Sequence, residues 1–279
     1  MAPREQNAPQ ATMESYFHDV ASQVDSLIQA GETYTANFSA EASDFVRMNR
    51  AKVRQPGSVV QRYLDIDLIR GARHATHQVS LSGNLAADRA TVAAAVAGSR
   101  AALADVADDP HLLIASDVRT SRDVRGGPLP PAETIIDAVL ERAQGTDLVG
   151  LYAGGPVYSG FANSHGQRNW HEANAFNLQW SLYHRADKAV KSGLSGFAWD
   201  AASFRAKMDE ARLQLAHMAR PSKALAPGKY RAYLTPAAVE DIASMMCWAG
   251  SRRGRLRRSR AALRRCKVAT AMRSGSTRA

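Results

Sequence analysis

Apolar residues recur every three to four positions between Thr12 and Ala30, at Met13, Phe17, Val20, Val24, Leu27 and Ile28, and Gly31 follows. That spacing predicts a helix with one buried stripe, closed by the glycine. From Glu32 to Gly83 the period falls to two. In "VVQRYLDIDLI", Val60, Leu64, Ile66 and Leu68 fall on one face and Gln61, Asp65 and Asp67 on the other, the pattern of a half-buried strand. "RHATHQVSL" after Gly71 reads as its hairpin partner. Ser43 to Ser58 reads as two shorter strands with a turn near Asn49 or Pro56.

The helical period returns from about Asp88 to Val106, with Val92, Val96, Leu103 and Val106 inward. "RGGPLPP" is expected to be a loop, and Pro131 suits the first turn of a helix that buries Ile135, Ile136, Val139 and Leu140. Strands are then expected at "LVGLYA", "VYSGFA", "NLQWSLYH" and "SGFAW", with the Gly-rich "YAGGP" as a turn between the first two. Ser203 to Ala219 predicts a long helix carrying Phe204, Met208, Leu215 and Met218 in register. "RPSKALAPGK" is a linker, "YRAYL" a strand, and Thr235-Pro236 opens a short helix toward Met246. The fold class expected is α+β, with antiparallel strand groups and interleaved helices.

Composition adds limits. At 279 residues, 45% apolar and 22% charged, the chain suits a soluble globular protein of one large domain or two. No run approaches the roughly 18 apolar residues that span a bilayer, and "MAPREQNAPQ" (residues 1–10) reads as a polar, disordered leader, not a secretory signal. Two cysteines, Cys247 and Cys266, exclude a disulfide framework and a C-x-x-C metal pair. A reducing cytoplasm is the expected compartment. The net charge of +10 is local: residues 251–279 hold eleven Lys or Arg and no acid, leaving 25 basic against 26 acidic residues in the body.

Several stretches invite a chemical reading. His171-Glu172 resembles the start of a zinc-peptidase motif, but the second histidine would have to stand at Ala175 or Phe176, so a solvated loop histidine is expected instead. Asp65 and Asp67 share a strand face and are expected to be its polar side. His74 and His77, three apart on a strand, point to opposite faces. Ser195 misses a nucleophile elbow because Phe197 stands where glycine is needed. Trp170, Phe176, Trp180, Tyr183, Phe197 and Trp199 crowd one window, as the core of the second strand group or as the lining of a peptide cleft. The tail's Arg252, Arg253, Arg255, Arg257 and Arg258 could neutralise nucleic-acid phosphates. It also has the composition of GC-rich coding sequence read out of frame, and that is the reading expected.

Read in order, "NSHGQRNWHEANAFNLQWSLYHRADKAVKSGLSGFAWD", "LAPGKYRAYLTPAAVEDIASMM" and, more loosely, "SDFVRMNRAKVRQPGSVVQRYLDIDLI" resemble the TldD/PmbA family, the "modulator of DNA gyrase" group of metalloprotease-like proteins. The matching residues are Asn163-Ser164 with Gly166, Lys191, Gly196-Phe197, and Pro227-Gly228-Lys229-Tyr230 through Leu234 and Pro236. The resemblance spans about residues 10–248. It implies an N-terminal and central α+β region over 11–220, the start of a C-terminal domain at 221–250, and a departure into the basic tail, disordered or out of frame, at 251–279. A truncated or frameshifted gene is the expectation it raises.

In the TldD half of the family, H-E-x-x-x-H lies on the helix after the P-G-x-Y segment. Here that helix reads "AAVEDIASMMCWAG" and holds no histidine. The chain therefore resembles the PmbA (TldE) half. What the resemblance implies is a subunit with no catalytic or metal residue of its own, paired with a zinc-bearing TldD-like partner or assembled as a homo-oligomer. Peptides or small proteins would be its substrates, and neither nucleic acid nor membrane is an expected partner.

Overall fold

The computed structural model describes residues 12–185 and 188–250, which fall into two compact units divided after Pro221. The first begins with helix α1 (Met13–Leu27), an antiparallel meander of β1 (Thr33–Asn49), β2 (Lys52–Arg70) and β3 (Arg73–Ser80), and helix α2 (Leu85–Ala102). It continues through β4 (Ser121–Arg125), α3 (Ala132–Arg142), β5 (Asp147–Asn163), β6 (Arg168–Arg185), β7 (Lys188–Gly196) and α4 (Ala201–Met218). Among the described residues the strands form one seven-stranded sheet in the order β3-β2-β1-β5-β6-β4, with β7 also pairing β6. The fold is α+β, as expected. The expected strand groups are merged into a single sheet, and β4, parallel to β6, was not legible.

All helices of this unit pack on the same face. Along β1, Tyr34, Ala36, Phe38 and Ala40 are buried with α1 and α2, while Val46 and Met48, at the same alternation, belong to a second cluster under α3 and α4. β6 repeats this: Trp170 lies in the first cluster, and Phe176, Leu178, Trp180 and Leu182 in the second. In-register pairs such as Phe38–Gly160 and Gly150–Trp180 hold these positions on one side across the central strands. The apolar period of two thus supplies a continuous floor, and the amphipathic helices supply two roofs.

Local chemistry fixes the helices. Thr12 Oγ1 accepts the Ser15 N–H at 3.1 Å to cap α1. Asn84 Oδ1 accepts the N–H groups of Ala86 and Ala87, and Asp200 those of Ala202 and Ser203. Phe17, Val20 and Val24 are wholly buried, as the stripe requires. Pairing α1 to α2, the Tyr16 hydroxyl donates to Asp88 Oδ2 at 2.6 Å, and the Ser82 and Gly83 N–H groups also reach the Asp88 carboxylate. Burial alone would raise the pKa of Asp88, but these hydrogen bonds outweigh it and hold the carboxyl below its ordinary range.

Several expectations are corrected. Ser43 to Ser58 forms the ends of two long strands; the turn lies at Arg50-Ala51, next to Asn49 as one of the two expected positions had it, while Pro56 pairs with Val46 inside β2. "LVGLYA" and "VYSGFA" are one strand, β5, and "YAGGP" lies within it. The cause is that Gly154, Gly155 and Pro156 all keep partners on β6, so β5 continues although its ladder with β1 is interrupted at Ala42 and Ser43. Val60 shares the face of Leu64 but is 63% exposed, because neither helical roof covers it.

In the second unit, α5 (Pro236–Gly250) starts with Thr235 accepting the Val239 N–H through its carbonyl at 3.0 Å. "YRAYL" is not a strand there: it has no ladder partner among the described residues, and Tyr233 is 87% exposed. No helix among the described residues is long and apolar enough to cross a membrane.

Candidate functional site

The sheet face opposite the helices is the place to look for chemistry, since within this unit no helix packs on it. It is open enough to leave Val149, Leu151 and Val157 substantially exposed. Three polar groupings lie along it.

The first contains His171. This residue is not in a loop, as expected from the sequence, but near the start of β6, opposite Ser159 of β5 and Asp123 of β4. Its Nδ1 lies 3.2 Å from Asp123 Oδ2, which also accepts from Arg125 Nε at 2.9 Å. Glu172, as the next residue of a strand, points the other way, toward the helices and the charge of Arg122. The two cannot converge on one ion. His165 sits in the β5–β6 turn, where its N–H donates to Asn163 Oδ1.

In the second, His74 Nδ1 lies 3.1 Å from both oxygens of Asp67, Thr76 Oγ1 donates to Asp67 Oδ1 at 3.0 Å, and Asp109 Oδ2 is 3.7 Å from His74 Nε2. His77 projects from the other face, against Gly98 of α2, as the alternation requires. Asp65 and Asp67 do form the polar side of the strand. Among the described residues there is no group of three or more His, Cys, Asp or Glu arranged to hold a metal. Helix α5, where the family resemblance would place zinc ligands, carries no histidine, so the residues present do not fit that metal.

The third was not foreseen. Arg47, Asn49, Arg54, Val149, Leu151, Gln179, Ser181 and Lys191 line an open trough of about 480 Å³ at the end of the sheet. Arg54 reaches it because of a β-bulge: Arg47 pairs with Gln55 and Met48 with Val53, leaving Arg54 as the extra residue. The signal in the sequence is "VRMNRAKVR", four cations and no acid in nine residues, overshadowed by the stronger basic tail.

Trp170, Phe176 and Trp180 are core residues of β6, as expected, Trp170 in the first cluster and the other two in the second. Trp199 packs partly against the second cluster, and Tyr183 and Phe197 are exposed, so the six do not line one cleft. Ser195 pairs with Asn177 within the β6–β7 ladder. Asn163, Ser164 and Gly166 build the β5–β6 turn: Asn163 Oδ1 accepts from His165 and Gln167, Gly166 takes φ 85°, and Ser164 Oγ accepts the Tyr34 N–H at 2.7 Å. Arg252, Arg253, Arg255, Arg257 and Arg258 lie outside the described residues.

No family model and no curated protein matches the sequence. Solved structures match the fold. TldE from Thermococcus kodakarensis superposes with a TM-score of 0.53 at 11% identity, over 72% of this chain and 47% of that one. A putative modulator of DNA gyrase from Bacteroides thetaiotaomicron gives 0.50 at 14% identity, over 74% of this chain and 50% of that one. The fold is that of TldE and the gyrase-modulator proteins. The likeness to these proteins thus extends to the fold, and the chain spans about half the length of either structure.

Proposed function

We propose that this chain is a PmbA/TldE-like subunit of a TldD/PmbA-type metallopeptidase complex, serving proteolysis or peptide maturation without a metal site of its own. The observation that carries the reading is the superposition on a protein named TldE. A histidine-free α5 supports it further, because the ligands that zinc needs would then come from a partner subunit. The role of this half is to help build the peptide-binding cleft and hold the metal-bearing subunit in its working form.

The test is co-purification with a TldD-type subunit, followed by peptide cleavage with and without chelator. Association of the two chains, with chelator-sensitive cleavage that needs the partner, supports the reading. Stoichiometric zinc and chelator-sensitive cleavage in the isolated chain would overturn it, as would failure of the two chains to associate.

A further inference from the structure

We propose that the trough at the end of the open sheet face docks an acidic, extended segment of a peptide substrate, gripped at one side by Arg47 and Arg54 and at the other by Lys191. The inference rests on the peptide-handling role proposed above and adds the chemistry of the peptide.

Charge is the first argument. Arg47, Arg54 and Lys191 all line the trough, and no carboxylate does. Among the described residues none of the three side chains makes an ion pair or a hydrogen bond. This sets them apart from Arg70, Arg73, Arg100, Arg122, Arg125 and Arg142, each engaged with a carboxylate. The nearest acid along β5 is Asp147, at the start of the strand and outside the lining. Three unpaired cations repel one another and favour a bound anion. The bulge adds a second argument, since regular pairing would not leave Arg54 as the extra residue that reaches the trough.

Geometry chooses the kind of anion. Arg47 stands opposite Leu151 and Leu151 opposite Gln179, while Val149 stands opposite Ser181 and Ser181 opposite Lys191. From β1 to β7 is three strand steps, about 14 Å at the usual ~4.8 Å spacing, which an extended peptide covers in about four residues at ~3.3 Å each. The ligand that fits carries two carboxylates about four positions apart and an apolar side chain midway between them, which an extended chain turns to the same side, toward Val149 and Leu151. A nucleic-acid backbone would gain nothing from that apolar floor. A stable, specific protein–protein interface buries about 800 Å² per partner, whereas a trough confined to one end of the sheet suits a short peptide segment.

The experiment uses the full chain and a fluorescein-labelled Glu-Ala-Leu-Ala-Glu peptide followed by anisotropy. A Gln-Ala-Leu-Ala-Gln peptide and a short DNA duplex serve as comparisons. The wild type is expected to bind the acidic peptide in a salt-sensitive manner and more tightly than the amide form. Arg47→Ala, Arg54→Ala and Lys191→Ala should each weaken it about two- to five-fold, the scale of an exposed ion pair, and the triple variant more. The basic tail is present in every variant, so the difference reports on the trough alone. Lys191→Glu should shift preference toward a peptide with lysine at one end. Equal binding of the acidic and amide peptides, unchanged affinity in the triple variant, or loss of DNA binding alone in that variant would overturn the inference. Partner association and cleavage that persist in such a case would leave the subunit role standing.

Discussion

Glu32 and Arg100 form a two-point clamp: Arg100 Nε donates to Glu32 Oε1 at 2.8 Å and its Nη2 to Oε2 at 2.9 Å, with the Glu32 side chain wholly buried. Arg70 donates to the same carboxylate at 2.6 Å, the Gln29 N–H adds a bond, and Arg100 also caps the Leu27 carbonyl. One carboxylate therefore joins α1, β1, β2 and α2. The Arg100 hydrogen bonds, opposed by burial and helped by Gln29 and Arg70, lower its pKa from 4.5 to about 2.

Acid should expose this clamp. The folded pKa lies below the unfolded one, so the stabilisation is complete above about pH 4.5 and is lost as pH falls toward 2. A lowering of this size is worth on the order of 3 kcal/mol. Urea unfolding between pH 2 and 6 should show that acid limb in the wild type and a flatter one in Glu32→Gln. Arg100→Met, which leaves a buried carboxylate short of its main partner, should cost about 3–5 kcal/mol at neutral pH.

Gly155, within β5, carries a second prediction. Gly155 has φ 142°, and a Cβ there would stand 2.4 Å from the Ala42 carbonyl oxygen. Gly155→Ala should destabilise the protein by about 1–3 kcal/mol through backbone strain and the clash, read from the denaturant midpoint. Gly127→Ala is the control, since its Cβ would meet nothing within 4 Å.

At the β1–β2 turn the expected change is a gain. Arg50 and Ala51 both have left-handed backbones, φ 52° and 51°, in a two-residue hairpin loop where Asn-Gly is the favoured pair. Ala51→Gly should raise stability by up to about 1 kcal/mol by relieving the Cβ crowding of that conformation, and Arg50→Asn should add to it. Thermal unfolding checks both. The Ala51 N–H, which donates to the Leu148 carbonyl at 3.0 Å, is kept in either variant.

His171 tests the reading of the first polar group as structural. Its pairing with Asp123 is half exposed, so His171→Ala should change stability by less than about 1 kcal/mol. It should also leave zinc content and partner association unaltered, measured by metal analysis and size-exclusion chromatography.

What was legible in the sequence follows the strength of its periodicity. The α1 stripe, the Leu64-Ile66-Leu68 alternation and the α4 register were readable because each buries a regular set of apolar side chains on one face. β4 was not: "SRDVR" has a single apolar residue, and its strand character comes from pairing with β6. Local propensity predicts a turn at Gly154-Gly155-Pro156, yet unbroken pairing with β6 carries the strand through it. The trough was hidden for another reason. It joins residues near position 50 to residues near 150, 180 and 191, and only the sheet brings them together.

The two clusters under the helices do not make two independently folding pieces. β1, β5 and β6 each run beneath both roofs, so the backbone of either core is also the backbone of the other. No cut in the chain separates them without halving three strands. Calorimetry of residues 12–221 should therefore record one cooperative melting event, and a deep cavity made by Trp180→Ala should lower protection from hydrogen exchange around Phe38 as well as around Leu182.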